Sequence, residues 1–133
     1  MGTLLSVRHL KKHFDSAHGV IHAVEDVSFD VQEKTTLGIV GESGCGKSTL
    51  GRTVLGLTPP TDGEVLFEGT DITKLRKKEK NIFRRKMQMV FQDPSSSLDP
   101  RMSVHDLIEE PLIVAQIYKN AAERTAMVRR MMD

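Results

Sequence analysis

The chain has 133 residues, of which 28% are charged, with 19 basic and 18 acidic residues and a net charge of +1. This composition excludes collagen-like and low-complexity disordered proteins, and the length is sufficient for a domain with a buried core. No run approaches the ~20 apolar residues of a membrane helix, no signal-peptide core is present, and the single Cys45 excludes an internal disulfide. We therefore expect a soluble cytosolic protein.

The first part of the chain is rich in β-branched residues with strand-like patterns. The alternating run Ile21–Val31 predicts a strand facing solvent on one side, and the continuous apolar run Leu37–Val40 is typical of a strand buried on both faces. Leu50, Val54 and Leu57 have helical spacing, which predicts a helix over Ser48–Leu57 that the turn-rich residues 58–63 end. Further strands are predicted at Leu4–Val7, Glu64–Phe67 and Lys86–Phe91, with a loop at 15–19 and a charged, helix-compatible stretch before Lys86.

The character of the sequence changes after Gln92. Residues 93–102 are loop-like, and two helix starts follow at Ser103 and Asn120, each with an acid three residues after the cap. Pro111 is expected to kink or divide the first of these helices. We predict a strand-rich nucleotide-binding core over 1–92 and the beginning of a helical subdomain over 93–133, which has no stop signal at its end.

The segment Gly41-Glu-Ser-Gly-Cys-Gly-Lys-Ser48 fits the phosphate-binding pattern G-x-x-x-x-G-K-[ST] at every fixed position. Glycines allow consecutive backbone N–H groups to point at phosphate oxygens, and the following helix adds its positive N-terminal end. Lys47 is expected to reach the β- and γ-phosphates, and the Ser48 hydroxyl to bind Mg²⁺. Cys45 lies within the loop, where its backbone is the part required.

This loop alone leaves kinases, GTPases, helicases and transport ATPases open. The dinucleotide pattern G-x-G-x-x-G is absent. An apolar strand ending in an acid, which would hold Mg²⁺ and polarise water, is also not found; Val65–Glu68 reads as a hairpin strand instead.

Three motifs narrow the choice: VEDVSFDV (24–31), GESGCGKSTL (41–50) and RRKMQMVFQDPSSSLDPRM (84–102) with a following EPL. Together they resemble the ATP-binding subunits of ABC transporters, and more narrowly those of oligopeptide and dipeptide permeases in the peptide/nickel importer group. The resemblance implies an α/β P-loop NTPase fold of the ABC-ATPase type, incomplete here because the signature motif, acidic strand and switch histidine of the family lie further along.

The resemblance also assigns roles by position. Phe14 falls where the family has an aromatic residue that stacks on adenine, and Gln92 matches the glutamine that contacts Mg²⁺ or the attacking water. ATP is expected at a set of residues that comprises Phe14 and the loop with its following residue: Gly41, Ser43, Gly44, Cys45, Gly46, Lys47, Ser48 and Thr49. Lys47 and Gln92 are the expected catalytic residues, with Ser48 and Gln92 at the metal. The family usually has glycine in the turn at Glu33–Thr35, so this turn is strained if its backbone φ is positive.

The resemblance implies two kinds of partner. One is a second ABC ATPase subunit, which would form a head-to-tail dimer with this one, and the other is the transmembrane permease subunits, which would dock near Gln92. The implied location is the cytoplasmic face of the membrane. The alternative is a module that binds nucleotide without turnover, because the catalytic elements are not found in these residues.

The sequence also contains a strongly basic segment and two pairs of histidines. Residues 74–86 carry eight basic residues and one acid, a pattern that could bind RNA or form a solvated helix face. The solvated helix face is favoured, because no aromatic residues that would stack on bases are interleaved. The pairs His9/His13 and His18/His22 have a four-residue spacing that does not converge on a metal in strand or loop backbone. Neither nucleic acid nor a histidine-bound metal is expected.

Overall fold

The computed structural model describes residues 2–133 and divides the chain into two compact units, one ending at Met89 and one spanning Val90–Asp133. The first unit contains a four-stranded antiparallel sheet in the order β2-β1-β3-β4. Its elements are β1 (Thr3–Ser16), β2 (Gly19–Gln32), α1 (Lys47–Val54), β3 (Asp62–Phe67), β4 (Thr70–Asp71) and α2 (Lys77–Lys86). The second unit contains α3 (Pro94–Ser97), α4 (Val104–Val114) and α5 (Ala121–Met132).

The strands β1 and β2 form one long hairpin. Ser16 pairs with Gly19, so the predicted loop at 15–19 is reduced to a two-residue turn in which the Ser16 hydroxyl donates to the Gly19 carbonyl at 2.6 Å. The two predicted strands extend to 14 residues each, because they pair with each other along the hairpin and lengthen one ladder of cross-strand hydrogen bonds. The further strand predicted at Glu64–Phe67 is confirmed as part of β3.

The core of the first unit lies between the sheet and α1. Val7, Leu10 and Val65 are fully buried on the sheet, and Leu50 and Val54 of α1 belong to the same cluster. The spacing of Leu50 and Val54 places both on one face of the helix, which is how α1 is held against the sheet. This packing fixes the end of α1 that carries the phosphate-loop motif.

The helix α1 is shorter than the predicted Ser48–Leu57. Gly56 has a left-handed φ of 67°, and its N–H donates to the Thr53 carbonyl while the Leu57 N–H donates to Arg52. This pair of bonds is a Schellman motif, which satisfies the last carbonyls of a helix and ends it. Leu57 therefore lies beyond the helix end, although its spacing matched the helical pattern.

Two predicted strands, Leu37–Val40 and Lys86–Phe91, are not strands in the structure. A strand requires a hydrogen-bonded neighbour, and within residues 2–133 neither run has one. Val40 is 93% exposed and Val90 is 92% exposed. Both apolar runs therefore contain side chains that are open to solvent. Both predictions were wrong because the pairing partner of a strand is not encoded locally.

The second unit confirms the two predicted helix starts. The Ser103 hydroxyl accepts from the Asp106 N–H at 3.1 Å, and the Asn120 side chain accepts from the Ala122 N–H at 2.8 Å. Pro111 lies inside α4 but does not divide it, because the helix runs unbroken from Val104 to Val114. An ion pair between Arg124 and Glu109 at 3.1 Å joins α5 to α4. Among the described residues, no helix has the length and apolar content needed to cross a bilayer.

The turn at 33–35 has the strained backbone that the sequence raised as a possibility. Lys34 has a φ of 59°, in the left-handed region that disfavours a side chain by about 1–2 kcal/mol. The expectation that glycine would fit this position better is confirmed by that angle.

Candidate functional site

The phosphate-loop motif forms a compact turn that leads directly into α1. The Cys45 N–H donates to the Glu42 carbonyl at 3.3 Å, and the Leu50 N–H donates to the Gly46 carbonyl at 2.8 Å as the first bond of the helix. Gly44 and Gly46 both have positive φ, 80° and 97°. Positive φ at two glycines is the kind of backbone in which the N–H groups of a loop can converge on an anion, and the positive N-terminal end of α1 begins directly after Gly46.

Gly46 is fixed by contact with the neighbouring strand. A Cβ atom on this residue would lie 2.0 Å from the carbonyl oxygen of Ala23 in β2. Only glycine therefore allows the loop to approach the sheet this closely while adopting the left-handed conformation. This contact holds the phosphate loop against β2.

The Lys47 side chain folds back over the loop. Its Nζ atom lies 2.6 Å from both the Gly41 and the Glu42 carbonyl oxygens and 3.5 Å from the Cys45 sulfur. The ammonium group is thus held at the loop by backbone acceptors, which are weaker partners than phosphate oxygens because they carry no full charge.

The remaining loop residues surround this point. Ser43 and Ser48 are exposed, Ser48 as the second residue of α1, and Thr49 is half-buried beside it. The Thr49 carbonyl accepts from the buried Thr53 hydroxyl at 2.7 Å, which anchors the first turn of α1. The first turn therefore presents the Ser48 hydroxyl to solvent.

A cleft of about 320 Å³ opens beside the loop. It is lined by residues of β2, by two residues outside any strand, and by residues of the loop and α1: His22, Ala23, Val24, Glu25 and Val27; Ile39 and Val40; Cys45, Gly46, Lys47 and Leu50. Sequence reasoning assigned no role in this site to His22 or Glu25, although Glu25 lies in the motif VEDVSFDV and His22 in one of the histidine pairs. Only their position on a strand next to the loop brings them here.

Phe14 lies on β1 near the hairpin turn and pairs with Ile21. Phe14 is 41% exposed, and the Lys12 ammonium lies 4.9 Å from the centre of its ring. An exposed aromatic face of this kind can stack on a planar ligand. Phe14 is not among the residues that line the cleft in the described part of the chain.

Gln92 belongs to the second unit, so the structure places it in a different unit from the loop residues. It is exposed in a bend just before α3. The next residue, Asp93, caps α3 by accepting from the Ser95 N–H at 3.1 Å and hydroxyl at 2.5 Å. Both bonds lower the pKa of the Asp93 carboxyl, and the bond from the Ser95 hydroxyl has the larger effect. The carboxylate that caps α3 therefore stays charged.

The sequence pattern of the ABC transporter family matches residues 24–133. The chain belongs to the ABC transporter family. The match includes the phosphate loop, Lys47 and Gln92, but begins after Phe14.

Known members of the ABC transporter family are similar to almost the whole chain. The oligopeptide transport ATP-binding protein OppF of Bacillus subtilis is 48% identical over 131 residues, which are 98% of this chain and 43% of that protein. The probable peptide ABC transporter ATP-binding protein y4tS of Sinorhizobium fredii is 55% identical over 116 residues, 82% of this chain and 33% of that protein. The chain thus spans less than half the length of these relatives.

Solved structures confirm the ABC-ATPase type of α/β P-loop fold. The dimeric structure of MJ0796, described as a bacterial ABC transporter cassette, superposes with a TM-score of 0.76 at 26% identity, covering 92% of this chain and 53% of that one. A post-hydrolysis state of the same cassette, bound to ADP and Pi, gives a TM-score of 0.78 at 26% identity, over 95% of this chain and 54% of that one.

Proposed function

We propose that this chain binds Mg-ATP through its phosphate loop, as part of the ATP-binding subunit of an ABC importer for oligopeptides or dipeptides. The observation that carries the proposal is the loop itself: the N-terminus of α1, two glycines with positive φ and the Lys47 ammonium meet at one point. The names of the similar proteins, which are oligopeptide and peptide transport ATP-binding proteins, support the substrate class.

The residues present fit a bound nucleotide. The positive φ of Gly44 and Gly46 and the N-terminus of α1 would let backbone N–H groups of the loop donate to phosphate oxygens, and Lys47 would exchange its carbonyl contacts for contacts with these oxygens. Gly41, Ser43, Gly44, Cys45 and Thr49 would contribute backbone or nearby side-chain contacts to the phosphates. Phe14 would stack on the adenine.

The Ser48 hydroxyl would hold Mg²⁺, and Gln92 would contact the metal or the attacking water. Magnesium supplies charge neutralisation at the phosphates when it is bound. The chain's own contribution is to position the phosphates against the end of α1 and, through Lys47, to balance their negative charge. ADP and Pi bound to the related cassette support this choice of ligand.

The proposal extends to partners and place. A second ATPase subunit would form a head-to-tail dimer with this one, as the dimeric state of the related cassette suggests. Permease subunits would dock near Gln92. The proposed location is therefore the cytoplasmic face of the membrane. Residues 1–92 would act as the nucleotide-binding core and 93–133 as the start of the helical subdomain.

The test measures ATP binding and ATP turnover separately on the 133-residue chain. Replacing Lys47 by Ala removes a charge-assisted contact worth about 1.5–3 kcal/mol, which corresponds to a loss of ATP affinity of about 10- to 100-fold. Lys119→Ala, which removes an exposed lysine in the second unit, is the matched control and leaves affinity unchanged. Equal affinity of the Lys47→Ala and Lys119→Ala variants contradicts the proposal.

The turnover arm separates the two functional candidates. Turnover that Lys47→Ala abolishes assigns hydrolysis to this chain, whereas Lys47-dependent binding without turnover assigns it binding alone. The names of the relatives favour a transport ATPase subunit over a module that only binds nucleotide.

A further inference from the structure

Three side chains with metal-ligating atoms meet near the turn end of the β1–β2 hairpin. His13 Nε2 and His22 Nδ1 each lie 2.6 Å from the same oxygen of Glu25, Oε2. The two imidazole rings are 4.0 Å apart between centres, and the three ligating atoms lie within 4.8 Å of one another. One histidine comes from each of the pairs seen in the sequence, so convergence arises across strands rather than along one of them.

A β-bulge produces this convergence. Lys12 pairs with Val24, but the next residue, His13, pairs with His22, so Ala23 is an additional residue in β2. The extra residue breaks the alternation of side chains and brings His22 to the same face as Glu25, while Val24 points into the core. Without the bulge, residues three apart on a strand would lie on opposite faces.

The surrounding charges leave this group available for a cation. The Lys11 ammonium is 3.8 Å from the other Glu25 oxygen, Oε1, and does not occupy the position between the rings. The Glu25 carboxylate faces both rings through the same oxygen, Oε2. A metal ion bound by these three atoms would replace the protons that the two rings share with the carboxylate.

We propose that His13, His22 and Glu25 form a binding site for a late first-row divalent cation, with Zn²⁺ as the best fit. Zn²⁺ binds imidazole nitrogens and carboxylate oxygens at distances of about 2.0–2.2 Å. Mg²⁺ and Ca²⁺ prefer oxygen ligands, so a site with two imidazoles does not suit them. His22 and Glu25 are 55% and 48% exposed in their side chains, so a fourth position is open to water or a ligand.

The proposed site adjoins the nucleotide cleft but does not depend on the proposed nucleotide function. His22 and Glu25 line the cleft together with Lys47, and His13 is next to Phe14 in β1. A bound cation would cross-link β1 to β2 at this end of the hairpin and add positive charge to the cleft wall.

A second group, His105, Asp106 and Glu109 in α4, is a weaker candidate. The His105 Nδ1 atom lies 3.5 Å from Asp106 and 3.8 Å from Glu109, and both acids already have closer partners. Arg124 binds Glu109 at 3.1 Å, and the Ser103 hydroxyl binds Asp106 at 2.7 Å. Its histidine therefore serves as a control.

The experiment is a calorimetric titration of the full 133-residue chain with Zn²⁺. The wild type is expected to bind one equivalent, and His22→Ala, which removes an exposed ligand, is expected to lose at least about 10-fold in affinity. His18→Ala, in the same hairpin but outside the group, and His105→Ala are the matched controls and keep wild-type affinity. Cys45→Ser also keeps it, which excludes the loop thiol as the ligand.

Thermal melting provides the second readout. In EDTA, His22→Ala is expected to melt at the wild-type temperature, and Zn²⁺ raises the melting temperature of the wild type only, because the ion binds the folded state. No binding of Zn²⁺ by the wild type overturns the proposal. Equal affinities of the wild type and His22→Ala, or a greater loss in His105→Ala, overturn it as well.

Discussion

The contact between the phosphate loop and the sheet makes Gly46 the most sensitive position of the loop. Replacing it by Ala introduces a Cβ atom 2.0 Å from the Ala23 carbonyl oxygen, a distance at which the loop or β2 has to move by about 1 Å. The same replacement also places a side chain at a φ of 97°. Two separate costs therefore add at this residue.

Gly44→Ala separates those costs. Gly44 has a φ of 80°, but a Cβ atom there has no neighbour within 4 Å. Both variants carry the left-handed penalty of about 1–2 kcal/mol, and both regain ~0.4–1 kcal/mol through the less flexible unfolded chain. Only Gly46→Ala adds the overlap, which costs about 1–3 kcal/mol. Gly46→Ala is therefore expected to be less stable than Gly44→Ala by about 1–3 kcal/mol.

Urea unfolding followed by circular dichroism measures this difference. With a slope of roughly 2 kcal/mol per molar urea, the midpoint of Gly46→Ala should lie about 0.5–1.5 M below that of Gly44→Ala. Equal midpoints would refute the reasoning, because they would show that the loop does not rest on Ala23. A lower midpoint for Gly44→Ala would refute it as well.

Two further predictions concern strain and charge. Lys34→Gly is expected to raise the free energy of unfolding by up to about 1 kcal/mol, because relief of the positive φ at residue 34 outweighs the greater flexibility of the unfolded chain. Glu33→Gly is the control and should lower the free energy of unfolding, because it only makes the unfolded chain more flexible. Arg8 and then Ser6 lower the pKa of Asp30 by hydrogen bonding, so its folded pKa lies below its unfolded one. The stability it adds is present above pH ~4 and is lost as pH falls through the folded pKa. Urea midpoints at pH 7, 4 and 3 should thus fall less steeply for Asp30→Asn than for the wild type, and parallel profiles would contradict this.

Features that depend on neighbouring residues in the chain could be predicted from the sequence. The caps at Ser103 and Asn120 were correct because a side chain and the N–H groups it accepts from are only two or three residues apart. The start of α1 was placed within one residue, because the loop motif requires a helix immediately after it.

Features that depend on pairing across the chain could not be predicted in the same way. Apolar runs such as Leu37–Val40 show that a strand would be compatible, but not which segment would pair with it. The bulge at Ala23 depends on the register of β1 against β2, and with it the meeting of His13, His22 and Glu25. A regular alternation assigned to Ile21–Val31 would have placed His22 and Glu25 on opposite faces.

The most direct test of the account is hydrogen–deuterium exchange of the 133-residue chain with and without Mg-ATP. The backbone N–H groups of residues 43–49 are expected to exchange more slowly with Mg-ATP and to remain unchanged with adenosine, because the phosphates are the groups that they bind. In the Lys47→Ala variant the slowing should be lost at the same ATP concentration. Slowing by Mg-ATP that leaves residues 43–49 unaffected, or equal slowing by adenosine, would contradict the assignment of this loop as the phosphate site.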